Sequence, residues 1–166
     1  MLLPLVHRWK LNPLAAKHMR ISIGGDHAGY GLKEVVIGHL KSQGIDVHDQ
    51  GTHSSDSTEY PDYAHAVASD VEGGSADLGI VICGSANGVN ITANKHHNVR
   101  SAIAWNEDVA KLAREHNDAN VLALPARFVD EALALRIVDV FLRAHFEGGR
   151  HQRRVDKIAP QPVRRS

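Results

Sequence analysis

Cysteine is scarce in this 166-residue chain, which contains one, at position 83. A single thiol cannot form an intramolecular disulfide, and it cannot build the usual thiolate zinc clusters. A reducing, cytoplasmic setting is therefore the expected location. Histidine is abundant, with twelve residues, but no HExxH pattern accompanies it, and we predict neither a metal nor another cofactor.

Aromatic residues are also few, and neither sign of charge predominates. Phe, Trp and Tyr make up 5% of the chain, too few for a base-stacking platform. Lys plus Arg and Asp plus Glu number 19 each, so the net charge gives no reason to expect nucleic acid or an anionic membrane as a partner. No apolar run reaches the length of a membrane span. A small anionic ligand is compatible with local basic clusters.

Short apolar segments alternate with helical patterns from Arg20 onward. The continuously apolar run LGIVIC is typical of a strand buried on both faces of a parallel sheet. The predicted strands are RISIGG, IDVHDQG, LGIVIC, RSAIAW and NVLAL. The predicted helices include one from Glu107 to His116 and one from about Asp130 to Ala144. This alternation predicts an α/β fold: a Rossmann-like, open parallel sheet of about five strands with flanking helices, in three layers.

The chain length fits a single folded domain. Residues 1–18 lack helical or strand periodicity, and we expect a disordered N-terminal extension outside the fold; a basic targeting peptide is the alternative. Residues 19–146 form the predicted α/β domain. Residues 147–166 are interpreted as a basic C-terminal tail that contributes arginines to a phosphate site.

Three predicted strands end in polar loops, which matters because ligands of open α/β sheets bind beyond the carboxyl ends of the strands. The first loop, GGDHAGYG, has Asp26 where a dinucleotide fingerprint requires its second glycine, so a nucleotide-binding module is a weak alternative. Asp26 and His27 suit a hydroxyl-bearing or singly phosphorylated ligand better. The other interpretation is that Asp26 caps a helix and His27 is merely solvated.

The loop CGSANG follows the predicted central strand. Gly84, Ser85, Ala86, Asn87 and Gly88 can present a run of backbone N–H groups to an oxyanion. Beside such donors Cys83 is a candidate base or nucleophile; alternatively, it is a small buried apolar residue. The order of residues is not Gly-x-Ser-x-Gly, so a hydrolase nucleophile elbow is not indicated.

Two polar groups come later in the chain. REHNDAN places His116 and Asn117 at a helix end, as a catalytic pair or simply as a C-cap. GRHQRR places Arg150 and Arg154 four residues apart, on one face if helical, and arginine pairs of this kind grip phosphate. A solvated basic terminus is the alternative. The strand NVLAL is followed by Arg127, which joins the carboxyl-end candidates.

Together these motifs resemble the ribose-5-phosphate isomerase B family, which includes the galactose-6-phosphate isomerase subunits. The resemblance extends from Met19 to Ile158 and rests on GGDHAGYGLK, EYPDYA, ICGSANGVNITANK, REHNDANVLALPAR and GGRHQRRVDKI. It implies a metal-free aldose–ketose isomerase of phosphorylated sugars in the pentose phosphate pathway. It further implies a homodimer or a dimer of dimers with a small-molecule sugar phosphate as ligand.

The resemblance also implies residue roles. Cys83 falls on the proton-abstracting base and His116 on the acid that opens the sugar ring. Asp26 and His27 match the ligand-binding pair. The remaining implied contacts to the substrate, its oxyanion or its phosphate are Gly84, Ser85, Ala86, Asn87, Gly88, Asn117, Arg127, Arg150 and Arg154.

Two positions distinguish this chain within the family it resembles. One branch uses a glutamate six residues after the cysteine position, where this chain has Val89, so the chain resembles the cysteine branch. Ala86 departs from the glycine common in the anion loop, and a left-handed conformation there would strain an alanine.

Strand order makes a further prediction about the site. Cys83 ends its strand, whereas His116 precedes NVLAL and so belongs to the opposite edge of a parallel sheet. We expect a two-fold partner to bring its His116 to this Cys83. Ribose 5-phosphate is the expected substrate; galactose 6-phosphate, allose 6-phosphate, or cysteine hydrolysis by Cys83, His116 and Asn117 are the alternatives.

Overall fold

The structure is a computed structural model, and it describes residues 19–160. The predictions for residues 1–18 and for residues 161–166 lie outside the described residues. None of the helices in the described part of the chain has the length and apolar composition that crossing a bilayer requires.

Within residues 19–160, five parallel strands form one sheet, which confirms the predicted α/β fold. They are β1 Arg20–Gly25, β2 Asp46–Asp49, β3 Leu78–Cys83, β4 Ser101–Ile103 and β5 Val121–Pro125. Their order across the sheet is β2-β1-β3-β5-β4, with every pair parallel. The central β3 is buried along its whole length, as the continuous apolar run predicts for a strand covered on both faces.

In the part of the chain that the structure describes, six α-helices and a short 3₁₀ helix accompany the strands. The α-helices are α1 Tyr30–Ser42, α2 Tyr60–Glu72, α3 Asn87–Ala93, α4 Glu107–Asn117, α5 Glu131–Arg143 and α6 Gln152–Val155, and the 3₁₀ helix is Gly149–His151. Helices α2 and α3 pack on one face of the sheet around Val67 and Val89. Helices α1, α4 and α5 pack on the other around Val36 and Phe141. The result is the predicted three-layer arrangement.

Side-chain caps determine where two of the helices begin. The Asn106 side chain accepts a hydrogen bond from the Val109 N–H at 2.8 Å, and the Asp130 carboxylate accepts one from the Leu133 N–H at 2.7 Å. Each cap satisfies a first-turn N–H that has no partner inside its helix. The strand predicted as RSAIAW is therefore shorter than expected, because the chain turns toward the Asn106 cap after β4.

The segment after α5 folds back onto the end of α4. The Glu147 N–H donates to the Glu115 carbonyl at 3.0 Å, and His151 at the end of the 3₁₀ helix is 4% exposed. The segment therefore places its basic side chains, including Arg150 and Arg154, near the amino ends of β4 and β5.

Candidate active site

The loops after β1 and β3 meet at the switch point of the sheet. There the chain continues from β1 to β2 on one side and from β3 toward β5 and β4 on the other. The helix after β1 packs on one face of the sheet and the helix after β3 on the other, which opens a crevice at the carboxyl ends of these two neighbouring strands. The crevice is a cavity of about 420 Å³. Its lining consists of Asp26, His27, Ala28, Tyr60, Cys83, Gly84, Ser85, Gly88, Arg127 and Phe128.

Asp26 holds the first loop and lines the cavity at the same time. Its Oδ1 accepts hydrogen bonds from the N–H groups of Ala28 and Gly29, both at 3.0 Å. Its own N–H donates to the Ile82 carbonyl at 3.2 Å. A Cβ on Gly29 would come within 2.5 Å of that same carbonyl oxygen, so glycine is needed for this close approach. The interpretation of Asp26 as a helix cap is wrong, because α1 begins after Gly29 without a side-chain cap. Oδ1 instead closes the turn before the helix, and the residue lines the crevice.

Cys83 ends β3 beneath the loop of small residues. The residue is 5% exposed and belongs to the apolar cluster under α2 and α3, yet it also lines the cavity. The Ser85 hydroxyl oxygen accepts hydrogen bonds from the N–H and the side-chain amide of Asn87. Within residues 19–160, the N–H groups of Ser85 and Ala86 have no acceptor. Ser85 lines the cavity, so its N–H is free to bind an anionic oxygen there, whereas Ala86 is completely buried.

Ala86 adopts the left-handed conformation, with φ 64° and ψ −10°. An alanine is strained at positive φ, as expected from its place in the anion loop, and Ala86 has that conformation. The strained residue turns the chain from the loop into α3. It is completely buried, so its methyl group also contributes to the apolar cluster.

Arg127 lies against the cysteine loop after β5. Its N–H donates to the Gly84 carbonyl at 3.0 Å, and the neighbouring Ala126 N–H donates to the Cys83 carbonyl at 2.9 Å. The Arg127 side chain passes over Gly84, where an added Cβ would lie 3.2 Å from Nε. A guanidinium is thereby held over the oxyanion loop.

Tyr60 lines the cavity although it is not among the predicted site residues. Its ring lies on α3 so closely that a Cβ on Gly88 would come within 2.6 Å of Cε2 and Cζ. In the motif EYPDYA, the proline at the start of α2 is a signal that the preceding tyrosine has a defined place. The packing on Gly88 could not be read from the sequence.

A second polar cluster surrounds His116 at the end of α4. The imidazole rings of His116 and His151 stack, with centroids 4.1 Å apart and an angle of 11° between planes. Nε2 of His116 and Nε2 of His151 lie 3.9 Å and 3.6 Å from the Glu147 carboxylate. Burial lowers the pKa of His151, and the charges of His116 and Arg150 lower it further against the opposing effect of Glu147.

Among the described residues, His116, Glu147 and His151 are the group whose ligand atoms lie close enough to hold a metal ion. The surroundings favour an anion instead. The Arg150 Nε–H donates to Nε2 of His151 at 3.4 Å, so a metal at that nitrogen would have to displace a guanidinium. The adjacent surface groove is lined by Arg150, Arg153, Arg154, Asp156 and Lys157.

The predicted site residues therefore fall into two groups within one chain. The residues of the first group lie at the carboxyl ends of the strands and line the cavity: Asp26, His27, Cys83, Gly84, Ser85, Gly88 and Arg127. Ala86 and Asn87 belong to the same loop without lining the cavity. The second group, His116, Asn117, Arg150 and Arg154, lies near the amino ends of the strands. β5 separates the groups, because α4 precedes Val121 while Pro125 is the register partner of Cys83. Five residues at about 3.3 Å each span roughly 16 Å, so one chain does not assemble the hydrolase set of Cys83, His116 and Asn117.

An open parallel α/β sheet with a polar cavity at its switch point defines a class of small-ligand-binding proteins and enzymes. Residues 21–158 match the model of the Ribose/Galactose Isomerase family. The chain belongs to that family, and it is an isomerase.

Relatives and solved structures agree with this assignment. Ribose-5-phosphate isomerase B of Escherichia coli (strain K12) is 46% identical over 147 residues, which cover 89% of this chain and 99% of that protein. The structure of Clostridium thermocellum ribose-5-phosphate isomerase B has a TM-score of 0.84 at 51% identity, covering 84% of this chain and 95% of that one. The Mycoplasma genitalium enzyme, solved with bound ribulose 5-phosphate, has a TM-score of 0.82 at 48% identity, covering 85% and 94%.

Proposed function

We propose that this chain interconverts ribose 5-phosphate and ribulose 5-phosphate, using Cys83 as the base. The observation that carries the proposal is that Cys83 and three residues of the following loop, Gly84, Ser85 and Gly88, line one cavity with Asp26, His27 and Arg127. Base and oxyanion donors then act on adjacent atoms of the same small ligand. The names of the relatives support this substrate.

The proposed reaction moves one proton between two carbons. Cys83, as the thiolate, removes the proton from C2 of the open-chain aldose, and the electron pair forms the C1–C2 double bond of an enediolate. The N–H group of Ser85, which lines the cavity, donates to the developing oxyanion. The protonated Cys83 returns the proton to C1, while the C2 hydroxyl becomes the ketone and its proton passes to the C1 oxygen. No electron donor or acceptor outside the substrate is needed.

The second polar cluster supplies the remaining groups from a partner chain. In this proposal His116 of one chain protonates the ring oxygen of the sugar bound near Cys83 of the other. The bond between C1 and the ring oxygen breaks, and the C1 hydroxyl gives its proton to water as C1 becomes the aldehyde. Asn117 contacts the sugar, while Arg150 and Arg154 bind the phosphate with Arg127. A symmetric dimer forms two such sites, because a two-fold interface repeats every contact. Higher assembly would then be a dimer of such dimers. A cytoplasmic location suits the single reduced thiol.

Six-carbon phosphates are the second candidate substrates, because the matching family model covers both ribose and galactose isomerases. The deciding experiment is a coupled assay of the purified chain against ribose 5-phosphate, allose 6-phosphate and galactose 6-phosphate, with Cys83→Ala as the blank. We expect the highest kcat/KM with ribose 5-phosphate. Higher kcat/KM with a six-carbon phosphate would overturn the substrate assignment, and activity independent of Cys83 would overturn the assignment of the base.

A further inference from the structure

The segment between β2 and α2 contacts the cavity through His27. We call residues 49–58 the 49–58 segment. At its far end the backbone N–H of Thr58 donates to Nδ1 of His27 at 3.3 Å. A backbone N–H can only donate, so Nδ1 must be the unprotonated nitrogen of the ring. An imidazolium would place a second N–H at this position, facing the first.

We propose that the 49–58 segment fixes His27 as the tautomer protonated on Nε2, so that His27 meets the substrate as a neutral hydrogen-bond donor. His27 lines the cavity, and the Thr58 contact uses Nδ1, which leaves Nε2 for a ligand. The acceptor is a hydroxyl or phosphate oxygen of the sugar. This consequence for substrate binding rests on the proposed function, whereas the tautomer does not.

The near end of the segment is held by an ion pair between the buried Lys33 and the partly exposed Asp49. Lys33 is completely buried, and its Nζ lies 2.8 Å from both carboxylate oxygens of Asp49. Oδ1 of Asp49 also accepts the Gly51 N–H at 3.0 Å. Lys33 belongs to α1 and Asp49 ends β2, so this pair joins the segment to the helix that follows the His27 loop.

Backbone hydrogen bonds attach the segment to the His27 loop itself. The Gly25 N–H donates to the Gly51 carbonyl at 2.8 Å, and the Thr52 N–H donates to the Gly25 carbonyl at 2.7 Å. Gly25 is two residues before His27. Lys33 and Asp49 are therefore positioning residues: they act on the His27 ring through the segment and not on the substrate.

The first measurement is the protonation of the His27 ring in the unmodified chain. Two-bond ¹⁵N–¹H correlation spectra distinguish a protonated from an unprotonated ring nitrogen, and the His27→Gln spectrum identifies the signals of this ring among the twelve histidines. Above the ordinary titration range of histidine, we expect protonated Nε2 and unprotonated Nδ1. A ring protonated on Nδ1 would overturn the proposal.

The second measurement removes the donor. Thr58→Pro deletes the backbone N–H, while the matched variant Thr58→Val keeps it and changes only the side chain. We expect Thr58→Pro to populate both tautomers and to raise KM for ribose 5-phosphate roughly two- to tenfold, the effect of weakening one neutral hydrogen bond, with a smaller change in kcat. Thr58→Val should keep the single tautomer. A folded Thr58→Pro chain with the wild-type tautomer and KM would refute the positioning role.

A third variant tests the ion pair, and it decides the question if Thr58→Pro does not fold. Lys33→Met should populate both tautomers of His27. Its control is Arg20→Met, which breaks the Arg20–Asp77 pair at 2.9 Å on the opposite end of β1 and should leave the tautomer unchanged. Equal effects of both variants, or none from Lys33→Met, would show that the pair does not act on His27. Because the spectra need no substrate, they stand even if the isomerase assay fails.

Discussion

Replacing Ala86 with glycine has several small and opposing effects on the free energy of unfolding. A left-handed alanine costs about 1–2 kcal/mol, so Ala86→Gly removes that strain. Glycine also loses a buried methyl group, worth about 0.8 kcal/mol, and costs about 0.4–1 kcal/mol in backbone entropy. We therefore expect Ala86→Gly to change the free energy of unfolding by less than about 1 kcal/mol.

Ala86→Val tests the same left-handed conformation by increasing the strain at residue 86. A β-branched side chain at positive φ is strongly disfavoured, and residue 86 is completely buried, so overpacking adds to the strain. We expect a loss of more than about 2 kcal/mol in urea unfolding. A valine variant as stable as the glycine variant would contradict the left-handed conformation.

Cys83 carries the proposed chemistry. Replacing it with alanine removes one sulfur atom from a buried position next to the apolar cluster, so we expect the fold to survive. The turnover number should fall by at least the ~10²–10⁴-fold typical of general acid–base catalysis. Circular dichroism and steady-state kinetics check the two halves of this prediction, and turnover close to wild type would remove Cys83 from the mechanism.

Helices and strands could be predicted from the sequence where a periodic pattern or a capping residue marks them. Contacts between residues far apart in the chain could not. The continuous apolar run identifies β3, and Asp130 indicates the start of α5 by its type and position. The contact of Thr58 with His27 and that of Lys33 with Asp49 join residues 31 and 16 positions apart. No periodicity encodes such contacts, because they depend on how loops and helices pack after folding.

The ion pair between Lys33 on α1 and Asp49 at the end of β2 makes the free energy of unfolding depend on pH. Partial burial alone would raise the pKa of Asp49, but the hydrogen bonds from Lys33 and Gly51 and the charge of Lys33 outweigh it, so the pKa lies below its ordinary value. This stabilisation is present above the pKa of the unfolded chain, near pH 4, and is lost as pH falls through the lower folded pKa.

Asp49→Asn should remove that part of the pH dependence. We expect the free energy of unfolding at pH 7 to fall by about 1.5–3 kcal/mol, the range for a hydrogen bond to a charged group, because Asp49 is partly exposed and Glu34 still accepts a hydrogen bond from Lys33 at 2.8 Å. Below about pH 4 the loss of stability with acid should be shallower than in wild type. Asp77→Asn, in an exposed pair, should cost under about 1 kcal/mol at pH 7. An unchanged slope in Asp49→Asn would contradict the role of the pair.

The role of the C-terminal arginines depends on assembly, because in the proposed dimer they bind the phosphate of the substrate in the partner's cavity. Arg150→Ala and Arg154→Ala should each raise KM for ribose 5-phosphate at least tenfold, since a charge-assisted hydrogen bond is worth about 1.5–3 kcal/mol. Arg136→Ala is the matched control, because that exposed arginine on α5 pairs with Glu107 at 3.4 Å. If the arginine variants bound an unphosphorylated pentose equally poorly, their role would be structural and not phosphate binding.

The order of helices and strands along the chain also predicted where the two groups of site residues lie. The order of α4, His116 and β5 along the chain predicts opposite edges for Cys83 and His116, and the structure places them there. The stacking of His151 on His116 and the contact with Glu147 were not predicted, because they depend on how residues 147–151 fold back.

Mixing Cys83→Ala chains with His116→Ala chains tests the shared site most directly. Each variant alone should be almost inactive. In a mixed dimer, one site combines the intact Cys83 of one chain with the intact His116 of the other, and the second site lacks both. If chains pair randomly, half of the dimers carry one of two sites, so after subunit exchange the mixture should regain about a quarter of wild-type activity. No recovery, with exchange confirmed by mass spectrometry of tagged chains, would contradict a site built from two chains.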